Sequence, residues 1–387
     1  MSARNDPPRS MLLVAGFSNF DRFAVGPMLF AFAATFSVSV STAAAAATAY
    51  FISYGVSQPV WGVLSDRYGR IRVIRIGLTV GAVGSALSAM APSILLLSTA
   101  RALTGAAFGA LIPATITFIG DTVDTKCRQA ALADMLAAMA VGSALATAMA
   151  GAVAEFTSWR VLFAAVTGVS VAALLQLSGT KETLLSTTNP AHPLARVGMV
   201  LRSRWALLVM VFAFLEGGLV LGLFALLPSV IEQHGPSAAS AGAIAAAYGV
   251  SMLAATRAVK RISSNPLIPL AIGGAALIIA HAVPSVIDGV APLVVTAILL
   301  GIVWAAFHSS LQTWMTTTVP EARATCVALM TSALFLGSGA GTAIGGRLLD
   351  AGHTKILFAC AALLSAVVVT SALIARKRYV SVMKPAS

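Results

Sequence analysis

The sequence predicts an all-α membrane protein in which twelve transmembrane helices form two six-helix, pseudo-symmetric halves around a central cavity. Hydrophobic residues make up 58% of the 387 residues and charged residues only 10%, whereas soluble domains carry roughly a quarter charged residues. Apolar stretches of bilayer length recur along the chain, and residues of the first half recur at a fixed spacing in the second. Because so few charges cannot cover a globule, the composition argues strongly against a soluble enzyme.

Each predicted helix is an apolar stretch long enough, at about 1.5 Å per residue, to cross a hydrocarbon core about 30 Å thick. The first stretch is too long for the apolar core of a signal peptide. Asp21, Arg22 and Pro27 interrupt its middle, and we interpret it as a retained first span. The predicted spans are residues 11–36, 43–64, 72–91, 93–120, 130–154, 158–178, 205–230, 238–257, 266–287, 290–316, 325–349 and 356–375.

Basic residues predict the orientation. An even number of spans places both termini on one side, and 20 of the 25 Lys and Arg residues lie in the tails and connections of that side. Arg160, Arg347 and Lys355 lie on the opposite side. The positive-inside rule therefore predicts a multi-pass protein of the plasma (inner) membrane with both termini in the cytoplasm. This segregation explains the net charge of +12 without a nucleic-acid partner.

A polar stretch midway along the chain divides the predicted helices into two sets. It contains Asn189-Pro190 and His192-Pro193, which are typical of a flexible connection. We therefore predict an N-terminal six-helix half at residues 1–178, a cytoplasmic linker at 179–204 and a C-terminal six-helix half at 205–387.

A shift of 195 residues aligns the two halves. Arg, Gly, Thr and Phe matches in a single register carry more weight than Ala matches in so alanine-rich a chain. Two parallel six-helix repeats around a membrane-normal axis are the transporter architecture in which a central site is exposed alternately to each side. The aligned pairs include Asp21 with Glu216, Arg128 with Arg323, Gly142 with Gly337, Thr147 with Thr342, Gly151 with Gly346 and Phe163 with Phe358.

The connection between the second and third helices carries a glycine-rich charged motif. Glycines permit a tight turn, an acid is favoured near a helix N-terminus, and an arginine fork suits a carboxylate. The motif resembles the signature loop of the major facilitator superfamily, in which the Asp and second Arg form a cytoplasmic gate with an acid on helix 4. The resemblance implies a gate motif made of Gly62, Asp66, Arg67, Gly69, Arg70 and Asp121.

Other segments resemble the twelve-helix drug–proton antiporter group of the same superfamily. Asp21-x3-Val25-x-Pro27 resembles the helix-1 motif seen among these antiporters, and Leu97-x3-Arg101-x3-Gly105-x3-Gly109 is similar to the helix-4 motif of the superfamily. Trp159-Arg160-x2-Phe163 is similar to the start of its helix 6. One position departs from the group, because Ala146-Thr147 stands where the helix-5 antiporter motif has Gly-Pro. This departure leaves symport or uniport open as alternatives to antiport.

Charged residues in the predicted spans are the candidate coupling site. Asp21, Arg101 and Glu216 all fall near the middle of the bilayer by residue count. An ionised group there costs at least about 2.5–3.5 kcal/mol on insertion scales, so such residues usually serve function. We predict a proton-coupling centre of Asp21, Arg22, Arg101 and Glu216, and the alternative is purely structural pairing of the acids with the arginines.

Aromatic and histidine side chains are weaker candidates. They could line an amphipathic cavity, although aromatic residues at helical spacing are more often simply packed. The candidate lining residues are Tyr50, Tyr54, Phe214, Tyr248, Trp304 and His308.

The sequence therefore predicts a monomeric secondary transporter of a small amphipathic organic compound, with protons and the lipid bilayer as its other partners. Proton-coupled export by alternating access is the first hypothesis. Proton symport or uniport of a metabolite and a non-transporting membrane sensor are the alternatives. No metal-ligand spacing, phosphate-binding loop or catalytic serine elbow stands out, so we expect no cofactor, no metal and no enzymatic activity.

Overall fold

The computed structural model describes residues 8–180, 193–262 and 265–383, and within these ranges the regular structure is helical except for one isolated bridge residue. Ten helices are long and apolar enough to span a membrane, and two further helical arms are joined by a bend of 115°. Each arm alone exceeds the roughly 20 residues that a span requires. The arms are therefore two spans, and the described residues form the twelve predicted.

The helices follow the predicted order closely. Their bounds are α1 Arg9–Phe36, α2 Val40–Tyr68, α3 Arg70–Ala89, α4 Ile94–Thr122, α5 Arg128–Phe156, α6 Trp159–Leu177, α7 Arg204–Glu232, α8 Ala238–Val259, α9 Leu267–Val286, α10 Val290–Thr318, α11 Pro320–Asp350 and α12 Thr354–Ser381.

The bundle has two ends. We call the end with the connections at 69, 123–127 and 319, where α1 begins at Arg9 and α12 ends at Ser381, the basic end. The opposite end, with the connections at 37–39, 90–93, 157–158, 233–237, 287–289 and 351–353, is the far end.

Two helix pairs form most of the interface between the halves. The α2 helix packs along α11, and α5 packs along α8. Small residues make these approaches possible: a side chain at Gly55 would meet the backbone of Ser332, and one at Gly151 would meet Ala238. Small residues of α5 thus form a helix-packing surface.

The outward faces of the peripheral helices are apolar. Leu363 and Val367 on α12 and Leu175 on α6 are 70%, 56% and 70% exposed. A soluble protein would cover so many large apolar side chains, whereas lipid accommodates them.

Several helices are interrupted at equivalent depths in the two halves. In α1, a 3₁₀ turn spans Gly26–Met28, and in α7 a π-helical segment spans Gly218–Gly222. A second π segment, Trp304–His308, interrupts α10. Such π segments frequently occur at functional sites, and both lie close to the candidate site described below.

The predicted linker is partly helical. Residues 181–192, where the sequence predicts a flexible connection, lie outside the described residues. Pro193–Arg202 forms a short helix directly before α7.

Candidate functional site

A fully buried ion pair joins α1 to α4. The Arg101 Nη1 and Nη2 atoms donate hydrogen bonds of 2.9 and 2.8 Å to the two carboxylate oxygens of Asp21. Both side chains are 0% exposed. The two parallel bonds are the bidentate geometry that a guanidinium offers a carboxylate. Of the predicted pairings of Asp21, the structure contains the one with Arg101.

Aromatic rings hold Arg101 in place. Its guanidinium carbon lies 4.7 Å from the centre of the Tyr50 ring and 5.0 Å from that of Phe163, distances suited to cation–π attraction. One turn further along α4, a side chain at Gly105 would collide with the backbone oxygen of Tyr50. The glycine therefore lets α4 approach α2 closely enough for Arg101 and Tyr50 to stack.

The second carboxylate has a different partner. Glu216 on α7 is fully buried, and its Oε2 lies 3.1 Å from Nδ1 of His308 on α10. Among the described residues, its other oxygen has no hydrogen-bond partner. His308 stacks on Trp304, with ring centres 4.1 Å apart. The sequence suggested His308 and Trp304 only as lining residues and did not indicate that His308 would pair with Glu216.

The two carboxylates lie at equivalent depths, but their partners approach them from opposite ends. Asp21 and Glu216 each follow about 18 Å of helix from the basic end at 1.5 Å per residue. Arg101 lies about 10 Å along α4 from the far end, whereas His308 lies about 27 Å along α10 from it. The Glu216–His308 pair is therefore the closer of the two to the basic end.

Arg22 lies next to Asp21 but pairs with none of the described carboxylates. Its Nη1 donates a 3.0 Å hydrogen bond to Asn19 Oδ1. Its guanidinium carbon lies 4.5 Å from the Tyr54 ring centre and 4.7 Å from that of Phe335 on α11. Arg22 therefore lies at the interface between the halves.

An aromatic cluster closes the interface on the far side of the charged residues. Phe23 of α1 packs against Phe224 of α7 and Tyr248 of α8, with ring centres 5.5 and 5.3 Å apart. Between the halves remains a cavity of about 10 Å³, room for at most one water molecule. Its lining includes Arg22 and Tyr50, so the predicted central cavity is nearly closed in this conformation.

The remaining candidate residues have mixed surroundings. Tyr50, Tyr54 and Tyr248 are each 1% exposed near the interface. Phe214 is 40% exposed, and its backbone oxygen faces Gly337.

His281, a residue the sequence left unassigned, is fully buried, and its ring nitrogens contact Ser365 Oγ at 3.1 Å and the Leu219 carbonyl at 3.2 Å. It therefore links α12 and α9 to the π segment of α7.

The glycine-rich connection at the basic end is shorter than the sequence indicated. The α2 helix continues to Tyr68, and only Gly69, with φ of +96°, separates it from α3. This left-handed conformation favours glycine. Gly62, expected to help form the turn, lies inside α2, and a side chain added there would meet open space.

Arg70 joins the two acids assigned to the gate motif. Its Nη1 lies 3.0 Å from Asp66 Oδ1, and its Nε lies 3.3 Å from Asp121 Oδ2 on α4. The Asp66 side chain is 49% exposed and pairs within its own half. Arg67 points its guanidinium toward the Tyr68 ring.

The halves are held together at the far end. The backbone amide of Ser41 donates to both carboxylate oxygens of Asp350, at 3.2 and 3.1 Å. On the other side of the interface, the Ala239 amide donates a 2.8 Å hydrogen bond to Glu155 Oε2. These contacts close the far end of the bundle.

Twelve membrane-spanning helices with charged residues buried between them are typical of membrane transporters. The sequence profile of the Major Facilitator Superfamily matches residues 11–330. The chain therefore belongs to this superfamily and is a transporter rather than an enzyme.

Curated relatives match shorter stretches. The chain is 31% identical over 149 residues to the quinolone resistance protein NorB of Staphylococcus aureus, covering 38% of this chain and 32% of NorB. It is 31% identical over 154 residues to the efflux pump dotC of Dothistroma septosporum, covering 40% and 26%. A triacylglyceride transporter of Mycolicibacterium smegmatis is 32% identical over 117 residues, covering 30% and 21%. The matches thus span about a fifth to a third of these relatives.

A solved structure supports the fold over nearly the whole chain. A crystal structure of a variant of the nucleoside transporter NupG superposes with a TM-score of 0.76 and 15% sequence identity, covering 94% of this chain and 98% of that one. At this identity the similarity establishes the shared fold alone.

Proposed function

We propose that this protein is a secondary active transporter that exports a small amphipathic organic compound in exchange for protons. The observation that carries the proposal is the pair of buried carboxylates, Asp21 and Glu216, at repeat-related positions of α1 and α7. Each carboxylate contacts an ionisable side chain on another helix of the same half. Burying charge in a membrane protein is costly, and such groups mark ion and substrate pathways.

The two carboxylates have different roles in this proposal. Asp21 accepts two hydrogen bonds from Arg101, which stabilises it as a carboxylate. Glu216 has one oxygen without a hydrogen-bond partner in the described part of the chain, and its histidine neighbour is 12% exposed. Protonation of the Glu216–His308 pair changes its charge without breaking a bidentate salt bridge. We therefore assign proton uptake and release to Glu216 and His308, and a positioning role to the Asp21–Arg101 pair.

Alternating access would proceed by separation of the halves at the far end. The Ser41–Asp350 and Glu155–Ala239 contacts hold that end closed here. Their release, together with approach of the Asp66 region to α11, would expose the central cavity to the other side. The basic end is the cytoplasmic end in this proposal, because basic connections are retained in the cytoplasm.

Export rather than uptake is supported by the relatives. NorB is named a quinolone resistance protein and dotC an efflux pump. The helix-1 motif of this chain also resembles that of drug–proton antiporters.

A flux screen in proteoliposomes tests the proposal. Purified protein is reconstituted, a pH gradient of either sign is imposed, and accumulation of a panel of anionic, neutral and cationic aromatic compounds is measured. We expect uphill accumulation of at least one compound on the acidic side, and its loss when a protonophore collapses the gradient. Proton-coupled export would be contradicted if accumulation did not depend on the pH gradient. It would also be contradicted if the compound moved in the same direction as the protons.

A further inference from the structure

Arg22 is a buried cation whose charge is not neutralised by a described carboxylate. Arg22 is 6% exposed, and its side chain extends from α1 to the Phe335 ring of α11. The neighbouring acids are engaged elsewhere, Asp21 by Arg101 and Glu216 by His308. An uncompensated charge at this depth is costly, which indicates that another anion neutralises it during the protein's working cycle.

The unpartnered atoms of Arg22 form a defined binding edge. Nη1 donates to Asn19, and Nδ2 of Asn19 in turn donates a 2.9 Å hydrogen bond to the Met139 carbonyl on α5. Nε and Nη2 have no hydrogen-bond partner among the described residues. These two nitrogens lie along one side of the guanidinium and present parallel N–H groups, the arrangement that holds a carboxylate with two hydrogen bonds.

The surroundings of Arg22 suit an aromatic or apolar body attached to that carboxylate. Arg22 lines the small cavity between the halves together with Tyr50, Phe51 and Phe224. The hydroxyl groups of Tyr50 and of nearby Tyr248 have no hydrogen-bond partner among the described residues. A ligand site of this kind combines apolar walls with a few convergent polar groups.

We propose that Arg22 is the recognition residue for a carboxylate on the transported compound, so that the substrates are small aromatic or apolar organic acids. This inference rests on the proposed transport function and specifies its substrate class. The cavity is too small for such a compound in the closed conformation, and separation of the halves enlarges it because both halves supply its walls.

Equilibrium binding of matched probes tests this assignment. The dissociation constants of 2-naphthoate and of its neutral amide, 2-naphthamide, are measured with purified full-length protein. We expect the protein to prefer the carboxylate. Arg22→Gln should reduce that preference about 10- to 100-fold, since hydrogen bonds to charged groups contribute this much, while amide binding persists. Arg22→Lys should retain only part of the preference, because an ammonium lacks the planar fork.

Arg376→Gln is the matched control. Arg376 is also buried and lies over two aromatic rings, those of Trp314 and Tyr379, but does not line the central cavity. The control should keep the carboxylate preference. Equal affinity of the parent protein for both probes, or an unchanged preference in Arg22→Gln, would overturn the proposal.

The flux screen separates this inference from the proposed function. If neutral or cationic compounds accumulate against the pH gradient while the protein shows no carboxylate preference, transport stands and the substrate class is wrong. If the preference depends on Arg22 but no compound is driven by the gradient, the binding site stands and proton-coupled export is wrong.

Discussion

At the residue scale, the two buried acids show what repeat symmetry preserves and what it changes. Asp21 and Glu216 keep the same position in α1 and α7, whereas their partners are Arg101 in one half and His308 in the other. Arginine holds its charge at any physiological pH, while histidine gains and loses a proton near neutrality. The first pair is thus suited to positioning and the second to proton exchange.

Removing Arg101 should destabilise the protein more than neutralising Asp21. Arg101→Ala leaves a fully buried carboxylate without its partner, which typically costs about 3–5 kcal/mol. Asp21→Asn also leaves a buried charge, that of Arg101, but it keeps the side-chain volume and an amide oxygen that can accept a hydrogen bond from the guanidinium. Arg101→Ala additionally removes the contacts with the Tyr50 and Phe163 rings. In detergent, the melting temperature should decrease from the parent to Asp21→Asn and further to Arg101→Ala. Arg101→Lys should melt at a higher temperature than Arg101→Ala. Equal melting temperatures for the parent and Arg101→Ala would show that the pair contributes nothing to stability.

A cluster at the far end should give pH-dependent stability. The Val230 carbonyl and Asp288 raise the pKa of His234, and His234 and Lys355 lower the pKa of Asp288. Protonated His234 adds to the free energy of unfolding below about pH 6.5, and this stabilisation is lost as the pH rises through the raised pKa of the histidine. The stabilisation from ionised Asp288 is lost only in strong acid. The melting-temperature difference between the parent and His234→Gln should therefore be larger near pH 5.5 than near pH 8. A pH-independent difference would refute this assignment.

At the element scale, the spans could be predicted from the sequence because hydropathy is a local property. The predicted 205–230 and the observed Arg204–Glu232 differ by only one or two residues at each end. The break in α1 is also signalled locally, by Pro27. The π segments at Gly218–Gly222 and Trp304–His308 have no comparable signal, since they depend on packing against neighbouring helices.

The gate motif gives a prediction at the same scale. Asp66 pairs with Arg70 at 3.0 Å and remains half exposed in this conformation, so its loss should affect folding little. The gate role that the resemblance implies for Asp66 comes into effect when the basic end closes. Asp66→Asn should therefore reduce transport at unchanged membrane insertion and melting temperature.

Glu321→Gln is the control for this variant, because Glu321 is an exposed acid at the same end of the bundle. Flux per inserted molecule distinguishes the two variants. Normal flux in Asp66→Asn at equal expression would rule out a gating role.

At the scale of the whole molecule, the repeat of 195 residues predicted two related halves but not the contacts between them. The sequence placed Asp21, Arg101 and Glu216 at one depth without specifying their partners. Partner choice depends on how each helix is rotated, which a single sequence determines only loosely. The helix-4 position of Arg101 points to helix 10, its counterpart in the second half, as the source of a partner for Glu216. Comparing these equivalent helices could have identified His308.

The orientation of the molecule can be tested with thiols. Cys127 lies partly exposed at the basic end, whereas Cys326 is buried. In a protein that retains Cys127 alone, a membrane-impermeant thiol reagent should label inside-out vesicles but not intact cells. A cysteine introduced at the exposed far-end residue Ala351 should show the reverse pattern. Labelling of Cys127 from outside intact cells would reverse the proposed topology.

The central claim is that protons and substrate move in opposite directions through a centre containing Glu216. Proteoliposomes that enclose a pH-sensitive dye are loaded with a compound found in the flux screen, and its outward gradient is the only driving force. The parent protein should acidify the lumen as the compound leaves, and Glu216→Gln should abolish acidification while equilibrium binding persists. Unchanged acidification in both Glu216→Gln and Asp21→Asn would contradict the account and assign both carboxylates a structural role.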